Sequence, residues 1–145
     1  MCGIAGFVNF NENFLNNEIF FKETLDNMRK ALRRRGNDAH GVYLDENFGA
    51  SHARLSIRDL TENGTQPMIK TINNNKYIIV YNGEIYNTDD LKKDLIIKGY
   101  KFSTTTDTEV ILYMFIEYKE KCVDYLNGIF AFSIYDTQNK TLYLF

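Results

Sequence analysis

The sequence predicts an α+β fold with largely antiparallel sheets. Short apolar segments of strand length alternate with amphipathic segments whose apolar residues recur at helical spacing. Their order is one strand, one helix, several strands, two helices and two final strands, which is typical of the α+β class. The chain has 145 residues, 44% hydrophobic and 25% charged, as expected for one globular domain over residues 1–145.

The chain begins with a predicted strand and a predicted helix. Residues 4–10 are apolar and indicate a buried strand. Asn16 or Asn17 is a suitable N-cap for the helix that follows, whose apolar positions recur at helical spacing before Gly36 ends it. Arginines 33–35 then fall in its last turn, where positive charge stabilises the negative end of the helix dipole.

A run of strands is expected next. Residues 41–44 and 49–55 have the composition of strands and are separated by turn-forming residues. A polar loop over residues 58–67 contains the only proline. Residues 77–81 are β-branched or aromatic and predict a further strand.

The C-terminal half predicts two helices and a hairpin. A short helix is expected over residues 88–98. Thr106 and Glu109 have the spacing of a capping box, in which each side chain satisfies a backbone N–H at the start of the next helix. Residues 129–135 and 141–145 are apolar and joined by turn-forming residues, so they indicate an antiparallel hairpin. The last segment stops in mid-strand, which suggests a fragment of a longer chain.

Composition excludes several functional classes. A net charge of −2 gives no general attraction to nucleic acid or to an anionic membrane. Cys2 and Cys122 do not make a disulfide framework, and the sequence shows no signal peptide or membrane-spanning run, so a cytoplasmic location is expected. His40 and His52 are the only histidines and lack the spacing of metal ligands, so no metal site is expected.

Cys2 is the strongest candidate for a reactive group. Removal of Met1 would give it a free α-amine beside its thiol, with ordinary pKa values of about 7.7–8.0 and about 8.5. An amine with that pKa is a suitable general base for the neighbouring thiol. The alternative is that Cys2 is a small apolar residue at the start of a buried strand.

Three further positions suggest chemistry, each with a structural alternative. Arg54 lies in an otherwise apolar strand and needs a partner, either a substrate carboxylate or an acidic side chain of the chain itself. Asn82-Gly83 is either a hairpin turn or a pair of donors directed at an oxyanion. Asp107 lies at a predicted helix N-terminus, where an acidic residue is favourable whether or not it binds a substrate ammonium.

Seven short motifs occur in the order found in one known family. They are Met1-Cys2-Gly3-Ile4, Arg35-Gly36-Asn37-Asp38, His52-Ala53-Arg54-Leu55-Ser56-Ile57, Gln66-Pro67-Met68, Asn82-Gly83-Glu84-Ile85-Tyr86-Asn87, Asp107-Thr108-Glu109-Val110-Ile111 and Asn127-Gly128-Ile129-Phe130-Ala131-Phe132. Over nearly its whole length the chain resembles the glutamine amidotransferase domain of asparagine synthetases, an N-terminal-nucleophile (Ntn) hydrolase. The second motif departs from the Arg-Gly-Pro-Asp that is usual in that family.

The resemblance implies a four-layer αββα sandwich, incomplete in its last strands, and a glutaminase reaction. A thiolate would attack the side-chain amide of glutamine, form a glutamyl thioester and release ammonia, and water would then hydrolyse the thioester. The implied site residues are Cys2 as nucleophile, Asn82 and Gly83 as oxyanion hole, Arg54 for the α-carboxylate, Asp107 for the α-ammonium, and backbone at Glu84 and around Ile57 lining the substrate site.

The resemblance also implies partners for the chain. The substrate is L-glutamine, and the ammonia would serve an ATP- and Mg²⁺-dependent synthetase domain, absent from this sequence and expected in cis or as a separate chain. The glutaminase domain itself would need no cofactor, and a homodimer is one assembly that the resemblance allows. Two alternatives stay open: a glutaminase that serves a sugar or peptide acceptor, and a non-catalytic module that retains the fold.

Overall fold

The chain folds into two antiparallel sheets with helices packed on their outer faces. A computed structural model describes residues 2–56 and 62–145. The strands in these ranges are β1 (Gly3–Val8), β2 (Ala39–Leu44), β3 (Phe48–Arg54), β4 (Met68–Ile72), β5 (Asn75–Ile85), β6 (Gly128–Asp136) and β7 (Thr141–Leu144). The α-helices are α1 (Glu18–Ala31), α2 (Thr88–Ile97) and α3 (Asp107–Tyr118).

Two long strands form the centres of the sheets. The three-stranded sheet has the order β1-β3-β2, and the four-stranded sheet has the order β4-β5-β6-β7, with every pair antiparallel. β3 is buried over its whole length, because it has a strand on either side, a helix on one face and the second sheet on the other. β5 pairs with β6 from Tyr77↔Asp136 to Ile85↔Gly128.

The two sheets pack face to face, and the helices cover them from outside. α1 packs on the three-stranded sheet, whereas α3 packs on β4 and β5 with α2 beside it. Between the sheets, the ring of Phe48 stacks on that of Tyr135 with 4.6 Å between their centroids. Ala50, Ile78 and Val80 belong to the same apolar layer. The predicted α+β class and its four-layer αββα arrangement are confirmed.

The first helix is shorter than the sequence predicts. α1 begins after Asn17, as expected, but ends at Ala31. Arginines 33–35 lie in the turn that follows, so the prediction that they occupy the last helical turn is wrong. Arg29 and Lys30 occupy that turn instead, where their positive charge stabilises the negative end of the helix dipole. Neither α1 nor any other helix of the described ranges is long and apolar enough to cross a membrane.

The four-stranded sheet differs from the prediction at two places. Met68–Ile72 is not predicted as a strand, yet this segment pairs with β5 across a tight turn. Asn73 and Asn74 form that turn with φ of 50° and 66°, which asparagine adopts more readily than most residues. The hairpin alternative for Asn82-Gly83 is wrong, because both residues lie within β5 and pair with β6.

Helix α3 begins with half of the predicted capping box. Thr106 Oγ1 accepts a hydrogen bond from Glu109 N at 3.3 Å, as expected. The Glu109 carboxylate does not return to Thr106 N; it accepts from the backbone N–H groups of Ser103 and Thr104, at 2.9 and 2.7 Å. The reciprocal half of the box is therefore wrong. The preceding loop is tied to the helix, and Asp107 is held as its first residue.

Candidate active site

Cys2 lies just before β1 and beside the end of β3. The N–H of Leu55 donates to Cys2 Sγ at 3.4 Å, and Sγ lies 3.7 Å from Leu55 O. Arg35 Nε donates to the carbonyl oxygen of Cys2 at 3.0 Å. The Cys2 side chain is partly exposed. The thiol is therefore held in place against β3 and remains accessible to a small molecule.

The thiol borders a cavity of about 220 Å³. The residues selected from the sequence that line this cavity are Cys2, Arg54, Asn82, Gly83, Glu84 and Asp107. The remaining selected residue, Ile57, lies outside the described residues. The lining residues come from the position just before β1, the end of β3, the last residues of β5 and the start of α3, so only the folded chain brings them together.

Arg54 is the last residue of β3 and forms a cationic part of the cavity wall. It is 6% exposed, and its guanidinium packs so closely on Gly64 that a side chain there would displace it. Asp38 braces the end of the strand, since its N–H donates to Arg54 O at 3.0 Å and its carboxylate accepts from Ser56 N at 2.7 Å. These contacts hold a buried positive charge at a defined position.

Asp107 provides an anionic group in the same cavity. Its Oδ2 accepts hydrogen bonds from the hydroxyl of Tyr81 at 2.6 Å and from the N–H of Ile85 at 3.3 Å. Both donors belong to β5, so the carboxylate links the start of α3 to the central strand. These bonds, and the positive end of the helix dipole, hold the carboxylate in one orientation.

Asn82 and Gly83 lie on β5 opposite Ala131 and Phe130 of β6. Asn82 Oδ1 is buried and has no hydrogen-bond partner within residues 2–56 and 62–145. Gly83 has no room for a side chain, because a Cβ would lie 2.7 Å from Phe130 Cα. The close approach of β6 therefore requires this glycine whether or not its backbone contacts a substrate.

His52, on β3, is a buried neutral histidine. Its Nε2 lies 3.2 Å from the carbonyl oxygen of Tyr81, which can only accept, so Nε2 carries the proton. Burial lowers the pKa of His52 to about 4; the bond to Tyr81 opposes this change and the charge of Arg54 adds to it. Its Nδ1 has no partner in the described chain. The same ranges contain no cluster of His, Cys, Asp or Glu that could hold a metal ion.

Tyr81 and Gln66 also line the cavity, although neither was assigned a role from the sequence. Tyr81 bonds to Asp107, and Gln66 Oε1 accepts from Tyr81 N at 2.6 Å. In the sequence Tyr81 resembles any core aromatic residue of a strand, so nothing local distinguishes it. Gln66 belongs to the quoted motif Gln66-Pro67-Met68, and that is the signal that could have marked it as a site residue.

Comparison with known proteins agrees with this geometry. Similar chains include asparagine synthetase (glutamine-hydrolyzing) 3 of Bacillus subtilis, 43% identical over 143 residues, and asparagine synthetase (glutamine-hydrolyzing) 1 of the same organism, 40% identical over 143 residues. Each alignment covers 99% of this chain and 22% of the relative. The chain thus spans only 22% of the length of these curated relatives.

Solved structures and a family model complete the comparison. Glutamine phosphoribosylpyrophosphate amidotransferase from B. subtilis, complexed with ADP and GMP, is similar with a TM-score of 0.55 and 24% identity, covering 64% of this chain and 22% of that chain. That likeness shows a shared Ntn-hydrolase fold. The model of the glutamine amidotransferase domain matches residues 1–145. The chain therefore belongs to the glutamine amidotransferase domain family.

Proposed function

We propose that the chain hydrolyses L-glutamine to glutamate and ammonia through a thioester on Cys2. The observation that carries this proposal is the set of groups around one cavity of about 220 Å³: a thiol, a buried guanidinium, a buried carboxylate and an amide side chain. Glutamine has an α-carboxylate, an α-ammonium and a neutral amide, so each part of the substrate has a complementary partner in this set.

The two charged residues would bind the ends of the amino acid. Arg54 would take the α-carboxylate, because its planar guanidinium can donate two parallel hydrogen bonds. Asp107 would take the α-ammonium through Oδ1, since the hydrogen bonds from Tyr81 and Ile85 both fall on Oδ2. Backbone at Glu84 and around Ile57 would line the rest of the substrate. Binding both ends would direct the side-chain amide towards Cys2.

The first half of the reaction would release ammonia. After removal of Met1, the free α-amine of Cys2 takes the proton of the thiol. The thiolate attacks the side-chain carbonyl carbon and forms a C–S bond, while the carbonyl oxygen becomes an oxyanion that accepts hydrogen bonds from Asn82 and Gly83. When the oxyanion collapses, the C–N bond breaks, the α-ammonium returns its proton to the departing nitrogen, and ammonia leaves.

The second half would regenerate the thiol. The same α-amine removes a proton from water as the water oxygen attacks the thioester carbon. The C–S bond then breaks, the sulfur regains the proton, and glutamate leaves. No metal or cofactor is required for either half in this scheme. The exposed edge of the Cys2 thiol leaves space for the water to enter.

We further propose that the ammonia serves asparagine synthesis. The relatives reported above are named asparagine synthetases, and this chain spans 22% of their length. The acceptor would therefore be activated elsewhere, by an ATP- and Mg²⁺-dependent synthetase domain in cis or in a separate chain. Both cysteines of the chain are free, in line with a reducing cytoplasmic compartment.

The experiment that tests the nucleophile is labelling by 6-diazo-5-oxo-norleucine, an electrophilic glutamine analogue. We expect a wild-type chain that lacks Met1 to gain one adduct on Cys2 and to release ammonia from glutamine. Cys2→Ser should do neither. Cys122→Ser is the matched control and should behave as wild type, because Cys122 is fully buried and burial raises the pKa of its thiol to about 12. Intact mass, peptide mapping and ammonia release give the result.

Three outcomes would contradict the proposal. A Cys2→Ser chain that still hydrolyses glutamine would remove Cys2 from the nucleophile role. A wild-type chain that lacks Met1 yet stays unlabelled and inactive would favour a non-catalytic module with the same fold. Mapping the adduct to Cys122 would likewise contradict the assignment.

A further inference from the structure

Gln66 belongs to the cavity wall but has no part in the reaction described above. It is 4% exposed and lies just before β4. A buried amide needs hydrogen-bond partners for both its oxygen and its nitrogen. Its two partners, Tyr81 and Thr108, belong to β5 and to α3, so one side chain bridges the two elements that carry Asn82 and Asp107.

The oxygen of this amide replaces a backbone carbonyl of the sheet. β4 pairs with β5 as far as Met68↔Ile79, and the same register continued for two residues would set Gln66 opposite Tyr81. Pro67 intervenes, and the backbone pairing of β4 with β5 stops at Met68. Gln66 Oε1 instead accepts from Tyr81 N at 2.6 Å. The backbone of β5 is thus anchored beyond the last residue of its neighbouring strand.

The nitrogen of the same amide reaches the first turn of α3. Gln66 Nε2 donates to Thr108 Oγ1 at 3.2 Å, and Thr108 is 3% exposed. Tyr81 contacts the same helix through the 2.6 Å bond from its hydroxyl to Asp107. These hydrogen bonds form a closed ring. It links Gln66 to Tyr81 and Tyr81 to Asp107, and it returns through the backbone and side chain of Thr108 to the amide of Gln66.

We propose that Gln66 is a positioning residue that sets the separation between the oxyanion-binding and ammonium-binding groups. Asn82 directly follows Tyr81, and Asp107 directly precedes Thr108, so each end of the Gln66 amide holds the neighbour of a substrate-binding residue. The inference rests on the proposed function, because the separation matters only if both groups bind one glutamine.

The chemistry of an amide suits this position better than other side chains of similar length. A leucine would leave the buried N–H of Tyr81 without its acceptor and would release Thr108. A glutamate would place a second negative charge beside Asp107. The neutral amide supplies one acceptor and one donor without changing the charge of the cavity. The shape of Gln66 could be copied by leucine, but its two bonds could not.

The test compares Gln66→Leu with Ile79→Val, a buried control on β5, the strand that carries Tyr81. The rate at which iodoacetamide alkylates Cys2 is measured in the presence of glutamate or of glutarate, which lacks the α-ammonium. The concentration of each that halves this rate is compared. Wild type should prefer glutamate. Gln66→Leu should reduce that preference about tenfold and lower kcat/KM for glutamine by tenfold or more, because a displacement of about 1 Å in an active site can cost about 100-fold. Ile79→Val should change neither quantity.

The comparison of protection by glutamate and by glutarate distinguishes a positioning role of Gln66 from a general contribution to the stability of the fold. If Gln66→Leu weakens protection by glutamate and glutarate equally, or leaves both unchanged, the inference is wrong. If that variant does not fold, Thr108→Val carries the same test, since it removes only the bond to Nε2. A wild-type chain without any preference for glutamate would contradict the proposed role of Asp107, whereas a wild-type preference that survives in both variants contradicts only the role of Gln66.

Discussion

Residues of the same type differ in reactivity because they differ in burial. Cys122 is buried, and burial together with the charge of Glu120 raises the pKa of its thiol to about 12, so it stays protonated. Cys2 lines the cavity and is partly exposed. Among the histidines, His52 is fully buried and neutral, whereas His40 is exposed. The chemistry available to each side chain therefore depends on its place in the fold.

We expect His52 to make the fold less stable in acid. The pKa of His52 is about 4 in the folded chain, below its ordinary value of 6.5. The unfolded state therefore binds more protons between these values, and the stability that neutral His52 provides is complete above pH 6.5 and lost as the pH falls towards 4. The loss should reach about 3 kcal/mol, measured by urea unfolding at pH 7 and at pH 4.

Two substitutions isolate this effect. His52→Asn should reduce the loss in acid, because asparagine does not titrate but can still donate to the carbonyl of Tyr81. His40→Asn removes an exposed histidine and should keep the wild-type dependence on pH. An identical loss in His52→Asn and wild type would show that other groups cause it.

Among the elements, the start of α3 is the point where sheet, loop and helix meet. Glu109 is fully buried and accepts hydrogen bonds from Lys70 of β4 and from Ser103 and Thr104 of the loop. Burial alone would raise the pKa of Glu109, but the bonds from these neighbours outweigh burial and lower it. The carboxylate therefore stays ionised and fixes the helical turn that carries Asp107.

Glu109→Gln should lower the free energy of unfolding by about 3 kcal/mol at pH 7, because Lys70 loses its buried charged partner. The pKa of Glu109 is lowered from its ordinary value of 4.5, so its stabilisation is present above that value and lost as the pH falls through the lowered one. The difference between wild type and variant should therefore shrink in acid. Urea unfolding at pH 7 and at pH 3 measures both effects.

Glu117→Gln is the matched control on the same helix. Glu117 pairs with Lys98 at 2.7 Å, but both side chains are substantially exposed to solvent. Its loss should lower stability by less than about 1 kcal/mol. Equal effects of the two substitutions would contradict a special role for the buried carboxylate.

The whole molecule depends on the layer between the two sheets. Phe48 of β3 and Tyr135 of β6 stack in its centre. The same strand β3 ends in Arg54, and β5 carries Asn82 two residues after Val80, which belongs to this layer. The core and the candidate site therefore share their two central strands, so the geometry of the site depends on how the sheets pack.

Phe48→Ala should destabilise the chain by about 3–5 kcal/mol, because it leaves a cavity in this shared layer. Both sheets contribute to the layer, so they should unfold together. Far-UV circular dichroism and tyrosine fluorescence in urea should give coincident transitions. Val42→Ala, at a position 44% exposed on β2, should change stability by less than about 0.5 kcal/mol. Separate transitions for the two probes would contradict a single cooperative core.

Local patterns in the sequence determined the fold class and the main candidates for the site. Hydrophobic periodicity is a property of neighbouring residues, so it predicted β1, α3 and the β6–β7 hairpin to within a few residues. Cys2 could be selected because its chemistry follows from its position next to Met1. Arg54 and Asp107 could be selected because each is a charged residue in a strand or at a helix start. Their proposed roles came from the family resemblance.

Contacts between distant residues were decided only by the tertiary structure. Asn82-Gly83 has the composition of a hairpin turn, but the pairing of β5 with β6 from Tyr77 to Ile85 overrides that local preference. Gln66 looked like a loop residue, yet its side-chain oxygen accepts the N–H of Tyr81 beyond the point where the pairing of β4 with β5 ends at Met68. Such pairings join residues many positions apart, and their stability comes from hydrogen bonds and burial that no local pattern contains.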